Sequence, residues 1–389
     1  MPVTACSRSL PRQGLHDAME IWRLAAEGTV DYWSQAARRP DRVAYDALRF
    51  WSEVASRRKP EWSTPHEIVR EWPIARLRDF TAGATDAVIP TLVLPPQAGH
   101  DSCIVDFRPE QSQMQTIRQA GLTNAFSLDW IGATHKTKDA GIDDYLDVIG
   151  QSVELLGGRV NLIGDCQGGW LATIYAALHP EQINTLTIAG APIDFHGGEP
   201  LIHAWVEAMK LDFYRGLVAS GGGVLRGRYM LAGFVALEPQ AEVSKHLHLL
   251  TGLSDAGFLA RHRRFEDWYK HTQDISGAFY LWIVEHLFRN NELLHGELQI
   301  QGETVDLGRI ACPVNLIAGA KDHITPPDQV YALGDAVSTP SAKVRRRLSD
   351  GGHLGLFMSH EALRTHWPPL LQHVYEHSKP AAAASRSAR

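Results

Sequence analysis

The segment LIGDCQGGW, residues 162–170, has the residue types of a nucleophile held at a tight turn. An apolar stretch leads into Cys166, and Gln167 follows it at the start of a helix-like run. Glycines lie close to the cysteine on both sides, at Gly164, Gly168 and Gly169. The absence of side chains at these positions lets backbones approach where a strand turns into a helix. The positive end of that helix favours thiolate over thiol, so the spacing predicts an activated cysteine.

Two later segments supply an acid and a histidine, in the chain order that such a turn requires. Asp322 follows the apolar run of PVNLIAGAKDH, and His353 lies in the glycine-rich loop DGGHLG. We expect His353 to take the thiol proton while Asp322 orients the imidazole. Asp328 and Asp350 stay open as alternative acids. His323 competes with His353 as the base. Adjacent side chains diverge in an extended loop, so we expect His323 to lie next to the Asp322–His353 pair without contacting the substrate.

Backbone N–H groups beside the cysteine predict a site for a developing oxyanion. The N–H of Gln167 is expected to be one donor, and the second should come from the loop Pro95–Gly99, at Gln97 or Ala98. Asp165 is unusual, because an acid beside the nucleophile would raise the pKa of the thiol. We expect its side chain to lie on the far side of the turn and to bond backbone amides.

A cysteine in this position predicts acyl transfer through a covalent thioester. Exchange between two thioesters is nearly thermoneutral, so an acyl group can move between coenzyme A and Cys166 without a large energetic step. A serine would form an oxygen ester, which is a lower-energy acyl carrier. The residue type therefore favours an acyl-CoA or a polymer acyl-transfer reaction over plain ester hydrolysis.

Short apolar runs alternate with helical patterns along most of the chain. This alternation predicts an α/β fold with a mostly parallel sheet and helices on both faces, and the cysteine turn predicts the α/β-hydrolase type. The candidate strands are 91–94, 125–128, 160–163, 185–189, 314–318 and 343–348. The candidate helices between them are 142–156, 168–178 and 326–333, with a final helix over 362–376 that we expect to kink at Pro368-Pro369.

The patterns predict a two-part core interrupted by an insertion. Residues 1–60 read as a helical extension, broken near Pro40. The core is expected over 61–194 and 308–378, with a helical insertion over 195–307 and a disordered tail over 379–389. The aromatic-rich insertion is either an ordinary helical core or a cap that covers an acyl-binding cavity.

The composition excludes several function classes. The chain has 389 residues and a formal net charge of −6, whereas nucleic-acid binders usually carry a basic surplus. No run of about 18 apolar residues predicts a transmembrane helix, and no secretory signal is evident. No HExxH motif or metal-ligand spacing of histidines occurs, so no metal is expected. The cysteines lack CxxC spacing, which predicts a reducing, cytoplasmic location. They are Cys6, Cys103, Cys166 and Cys312.

The three motifs together resemble those of the polyhydroxyalkanoate (PHA) synthases, above all the catalytic subunit of the two-component class III enzymes. The segment 162–195 resembles their lipase-like box, and 312–329 and 350–359 resemble their acid and histidine motifs. The segment 128–147 resembles the stretch ahead of the box, and the similarity covers roughly residues 60–378.

The resemblance implies a substrate and a set of roles. Cys166 would carry the growing chain as a thioester, His353 would be its base, and Asp322 would help to activate the 3-hydroxyl of an incoming 3-hydroxyacyl-CoA. Coenzyme A would enter as part of the substrate, and no bound cofactor is implied. The partners implied are the PHA chain, the granule surface in the cytoplasm, and either a second synthase subunit or a second copy.

Two features depart from the synthase pattern. Asp165 lies where the synthases usually have an apolar or aromatic residue, and the segment 265–298 resembles the intracellular PHA depolymerases at least as well. A hydrolase of the same fold, either a depolymerase or an acyl thioesterase, is therefore the second hypothesis. A non-catalytic, granule-associated relative is the third.

Overall fold

The computed structural model describes residues 9–38, 40–81, 88–198 and 201–379, with side chains described from residue 19 onward except that of residue 35. Contacts divide the chain into two compact units. The helical unit comprises Met1–Pro60 and Arg228–Thr272, and the sheet unit comprises Glu61–Gly227 and Gln273–Arg389. The insertion predicted over 195–307 is thus shared between the units, and residues 380–389 of the predicted tail lie outside the described residues.

The sheet unit is built on eight strands, which we number β1 to β8 in chain order. They are β1 Glu67–Glu71, β2 Ala75–Asp79, β3 Thr91–Leu94, β4 Ala125–Trp130, β5 Val160–Asp165, β6 Ile183–Ala189, β7 Val314–Gly319 and β8 Val344–Ser349. Their spatial order is β1-β2-β4-β3-β5-β6-β7-β8. Strand β2 pairs antiparallel with β1 and β4, and all other neighbours are parallel. This is the strand order of the α/β-hydrolase fold, so the predicted fold class is confirmed.

The register brings the carboxyl ends of the central strands to one edge of the sheet. Leu94 is paired with Gly164, and Asp165 is paired with Ala189. Every residue of β3 to β7 is buried, which explains their near-continuous apolar sequences. The residues that follow these strands therefore share one edge, where ligands of open α/β sheets bind.

The sequence patterns do not predict the first two strands, β1 and β2. Strand β1 is exposed along its whole length at the sheet edge, so no alternation of apolar and polar residues is required there. Strand β2 buries Arg78, whose Nε lies 3.0 Å from Oδ2 of Asp129. This ion pair on the neighbouring strand helps to make an arginine compatible with a buried strand, and the partner is not visible in local sequence.

The helices, numbered in chain order, cover both faces of the sheet and form the helical unit. They are α1 Ser9–Ala36, α2 Val43–Ala55, α3 Gln113–Gln119, α4 Ile142–Leu155, α5 Gln167–Leu178, α6 Leu201–Ala208, α7 Leu211–Ser220, α8 Gly227–Leu237, α9 Pro239–Thr251, α10 Ala256–Lys270, α11 Gly277–Trp282, α12 Glu292–His295, α13 Pro327–Ala336, α14 Gly355–Met358 and α15 Trp367–Ser378. Within the described residues, none of these helices combines the length and the apolar character needed to cross a membrane.

The final helical region is interrupted, but not at the position expected. A π-helical segment over Ala362–His366 leads directly into α15. Pro368 and Pro369 lie in the first turn of α15, directly after the π-helical segment, and neither has a backbone N–H to donate to the preceding turn. The expected kink at these prolines is therefore replaced by a change of helix type just before them.

The helical unit has its own small core and a buried ion cluster. Leu249, Leu253 and Leu259 are buried together, and Phe50 of α2 packs against them. Glu266 is buried between Lys245 at 2.9 Å and Lys270 at 2.6 Å. The predicted break near Pro40 is confirmed, because α1 ends at Ala36 and α2 begins at Val43.

Candidate active site

Cys166 occupies a strained turn between β5 and α5. Its backbone has φ 50° and ψ −119°, a region that residues other than glycine rarely adopt. The strain is held by two hydrogen bonds: the Cys166 N–H donates to the Ala189 carbonyl at 2.8 Å, and its carbonyl accepts from the Gly169 N–H at 2.9 Å. The side chain is buried at the first turn of a helix whose residues 168–178 are all buried. This is the geometry predicted for a nucleophile elbow.

Each glycine around the cysteine is required by a close approach of neighbouring atoms, which are backbone atoms at Gly164 and Gly168 and the Ala191 side chain at Gly169. A Cβ on Gly164 would lie 2.4 Å from the Gly168 carbonyl oxygen, and one on Gly168 would lie 2.0 Å from that of Leu94. A Cβ on Gly169 would lie 2.3 Å from Cβ of Ala191. The backbones of β3, β5 and α5 therefore touch at this point, and no larger residue fits.

The structure brings Asp322 and His353 together beside the cysteine. His353 Nδ1 donates to Asp322 Oδ2 at 2.7 Å, and both side chains are buried. Asp322 Oδ1 accepts the backbone N–H groups of Ile324 at 2.9 Å and Thr325 at 2.8 Å. The carboxylate is thus fixed by its own loop, and because Nδ1 is bonded to Asp322, Nε2 is the imidazole nitrogen left for the hydrogen bond to Cys166.

The electrostatics of His353 connect it to both neighbours. Burial lowers its pKa, but the charges of Asp322 and Cys166, with hydrogen bonds to both side chains, outweigh burial. The net effect raises the pKa of His353 well above its ordinary value. The charged imidazole is therefore stabilised in a site that has little water to solvate it.

Two glycines outside the Gly164–Gly169 turn make room for the imidazole and its loop. Gly190, with φ 53°, follows β6, and a Cβ there would lie 3.3 Å from Cε1 of His353. A Cβ on Gly319 would lie 2.7 Å from the Gly351 carbonyl oxygen, where the acid and histidine loops meet. Each glycine directly follows a predicted strand, 185–189 or 314–318, which was the available sequence signal, and neither was predicted as a site residue.

The environment of Asp165 differs from the prediction. Its side chain is completely buried, and Oδ1 accepts a hydrogen bond from the Gln113 side-chain Nε2 at 3.2 Å rather than from backbone amides. Gln113 is the first residue of α3, so this hydrogen bond connects the start of that helix to the end of β5. Burial raises the pKa of Asp165 to about 8, and the Gln113 hydrogen bond and the charge of His353 act in the opposite direction.

The loop expected to supply the second oxyanion donor lies against the start of α5. The carbonyls of Leu94 and Pro95 approach Gly168, and Pro95 also accepts a hydrogen bond from the Trp130 indole at 2.9 Å. Gln97 is buried, and its Nε2 donates to the Tyr145 hydroxyl at 2.8 Å. Gln167 is the first residue of α5, so its N–H has no partner within the helix. The choice between Gln97 and Ala98 stays a prediction.

The alternative residues are placed differently. Asp328 and Asp350 are exposed, and the carboxylate bonded to His353 is that of Asp322. His323 is half-buried next to Asp322. Across the part of the chain that the structure describes, no cluster of histidine, cysteine and acidic side chains has the arrangement of a metal site.

A protein family matches most of the chain, including all three residues of the site. The family is described as "Protein of unknown function (DUF3141)", and the match covers residues 71–374. The matched residues contain β2 to β8 and the loops that carry Cys166, Asp322 and His353.

Individual relatives carry names that refer to PHA polymerisation. The poly(3-hydroxyalkanoate) polymerase subunit PhaC of Haloferax mediterranei is 27% identical over 89% of this chain and 70% of its own length. The PhaC subunits of Allochromatium vinosum and Thiocystis violacea are 28% and 25% identical, over 69% and 87% of this chain and 75% and 98% of theirs. The predicted resemblance to the PHA synthases is therefore confirmed.

Solved structures also align with the chain. Mouse alpha/beta hydrolase domain-containing protein 10 is 15% identical with a TM-score of 0.47, and covers 80% of this chain and 99% of its own.

Replacing Gly168 with alanine should destabilise the protein strongly. The new Cβ would meet backbone atoms of Leu94 that cannot move without distorting β3, so we expect a loss of about 3 kcal/mol or more in the free energy of unfolding. Urea unfolding measures this. The control is Gly216→Ala in α7, where a Cβ meets nothing within 4 Å and about 0.5–1 kcal/mol should be gained. Equal midpoints for both variants would contradict the close-approach argument.

Replacing Asp322 with asparagine should lower the pKa of His353, because the carboxylate charge and its hydrogen bond both favour the imidazolium. An NMR titration of the labelled imidazole measures the shift. Asp350→Asn serves as the matched control, since this exposed acid lies only three residues from His353 and is not its hydrogen-bond partner. If the pKa of His353 were the same in Asp322→Asn as in the parent, the Asp322–His353 pair would not set the charge of the ring.

Proposed function

The chain belongs to the DUF3141 family, and we propose that it is a cysteine-dependent acyltransferase that polymerises 3-hydroxyacyl groups supplied as coenzyme A thioesters. The observation that supports this most directly is the buried Asp322–His353 hydrogen bond beside a cysteine on a strained elbow. The names of the PhaC relatives favour a PHA polymer as the product. The same geometry favours nucleophilic catalysis in general, so the acyl acceptor is the part that experiment must decide.

In the first step, His353 removes the proton from the Cys166 thiol. Nδ1 is held by Asp322, so Nε2 receives the proton and the imidazolium is stabilised by the carboxylate. The thiolate sulfur then attacks the thioester carbon of the 3-hydroxyacyl-CoA. A carbon–sulfur bond to Cys166 forms, and the carbonyl oxygen becomes an oxyanion.

The collapse of this intermediate releases coenzyme A. The oxyanion would be held by the Gln167 N–H and by a donor from the loop Pro95–Gly99. The bond to the coenzyme A sulfur breaks, and the departing thiolate takes the proton from His353. The product is an acyl group on Cys166, with the imidazole neutral again.

Chain growth requires a hydroxyl group as the acceptor. With His353 as the base, the 3-hydroxyl of a second 3-hydroxyacyl-CoA attacks the thioester on Cys166. An ester bond forms, the bond to the cysteine sulfur breaks, and the sulfur recovers a proton from the imidazolium. Passing from a thioester to an oxygen ester is downhill, so each cycle favours elongation. Water at the same position would give hydrolysis.

The proposal predicts an acyl-enzyme that a hydroxyl acceptor resolves. After mixing with 3-hydroxybutyryl-CoA, mass spectrometry should find the acyl group on the peptide that contains Cys166, with one coenzyme A released. Cys166→Ala should carry no acyl group. Cys166→Ser should fold but turn over about 10³-fold more slowly or worse, and His353→Gln should suppress acylation to a similar degree.

The fate of the trapped acyl group separates the three hypotheses. A chase with a second, isotopically labelled 3-hydroxyacyl-CoA should give a labelled dimer or longer ester. Release of free 3-hydroxy acid at a rate independent of the chase would replace the polymerase by a hydrolase. No acylation under any condition would favour a non-catalytic relative, and Cys312→Ser serves as the control for modification of another free cysteine.

A further inference from the structure

A second carboxyl group lies next to the nucleophile and takes no part in the proposed mechanism. Asp165 immediately precedes Cys166 and ends β5, and it has no solvent exposure. It receives one hydrogen bond, from Nε2 of Gln113 at 3.2 Å, and Gln113 is itself completely buried at the start of α3. A buried carboxylate with a single neutral donor is poorly stabilised.

Two acceptor atoms in this pair have no partner. Asp165 Oδ2 and Gln113 Oε1 are both buried without a hydrogen bond. If Asp165 were ionised, both atoms would be acceptors and could not bond each other. A proton on Oδ2 turns it into a donor, and the carbonyl of Gln113 belongs to the amide that Asp165 already contacts. One proton thus satisfies both atoms, because a carboxylic acid and a primary amide can form two parallel hydrogen bonds.

The charges around Asp165 give a reason for keeping it neutral. His353 is the charged group that acts on it, and Asp322 already supplies that imidazole with a carboxylate. A second negative charge here would oppose the thiolate of the adjacent Cys166 and would hold the proton on His353 when a base is needed. Burial raises the pKa of Asp165 to about 8, so a neutral carboxyl is favoured at neutral pH.

We propose that Asp165 is a positioning residue that is protonated in the resting protein and paired with Gln113, so that the carboxyl beside Cys166 carries no charge. The effect on Cys166 rests on the function proposed above, whereas the protonated pair does not. The tests below therefore include readouts that need no substrate.

The first test is the vibrational signature of the acid. In full-length protein at neutral pH, an infrared difference spectrum between the parent and Asp165→Asn should contain a protonated-carboxyl band, which disappears as the pH rises through about 8. Gln113→Leu should keep the band but move it to the position of an acid without a partner. Gln119→Leu, an exposed position on the same helix, should leave it in place. The absence of the band at neutral pH would overturn the proposal, and a band insensitive to Gln113→Leu would overturn the pairing.

The second test uses stability. Between the ordinary pKa of 3.8 and the folded value of about 8, the folded chain keeps a proton that the unfolded chain has lost. Stability must therefore fall as the pH rises through this window. Asp165→Asn removes that penalty, so its Tm should exceed the parent's by a margin that grows from about pH 4 to about pH 8. A margin that stays constant with pH would show that Asp165 is ionised in the folded protein.

The third test reads the potential at the sulfur. The ratio of alkylation rates by iodoacetate and iodoacetamide at Cys166, followed by peptide mass spectrometry, cancels the thiolate fraction and reports local charge. The ratio should fall roughly threefold or more through about pH 8 in the parent, and this step should vanish in Asp165→Asn. A step unchanged by the substitution would remove Asp165 from the electrostatics of the site. If no acyl transfer to 3-hydroxyacyl-CoA were found, all three readouts would still stand, so the two proposals fail separately.

Discussion

The site depends on one steric constraint, which is the contact of three backbones where β5 turns into α5. Gly168 lies so close to the end of β3 that there is no room for a Cβ on it, and the Gly168 backbone in turn leaves no room for a Cβ on Gly164. Between these two glycines, Cys166 has φ 50° at the start of α5. Packing around Cys166 offsets its backbone strain, and the cysteine is held in a fixed position at a helix N-terminus.

The parallel sheet then determines what the cysteine can meet. Because β5, β6, β7 and β8 are neighbours in that order, the loops after them open at the same edge. The loop after β7 brings Asp322, the loop after β8 brings His353, and Gly190 after β6 leaves the space that the imidazole fills. Residues separated by more than a hundred positions in the chain are thus assembled by strand order, and the proposed chemistry needs no further element to unite them.

The sequence predicted those parts of the site and the sheet that depend on residue type and on spacing along the chain. The apolar runs predicted the buried central strands, and the order of cysteine, acid and histidine predicted which side chains the structure brings together. The patterns missed β1, because an exposed edge strand needs no apolar face, and β2, because Arg78 depends on Asp129 of another strand. The partner of Asp165 was misjudged for the same reason: Gln113 is 52 residues away, and only the packing of α3 on the sheet brings it to β5. The units defined by contacts also differ from the predicted boundaries, since helical spacing does not reveal which helices pack together.

Two buried carboxyl groups, those of Asp322 and Asp165, interact with the charge of His353, and the number of hydrogen-bond donors distinguishes them. Asp322 accepts three N–H groups, two from its own loop and one from His353. Asp165 accepts one, from a neutral amide. The single neutral donor leaves the charged form of the buried Asp165 poorly stabilised, which is why we propose that this carboxyl is neutral, whereas Asp322 is the carboxylate that orients His353. With Asp165 neutral as proposed, the carboxylate that acts on the imidazole is that of Asp322 at Nδ1, and no second negative charge lies beside the sulfur that must itself become negative.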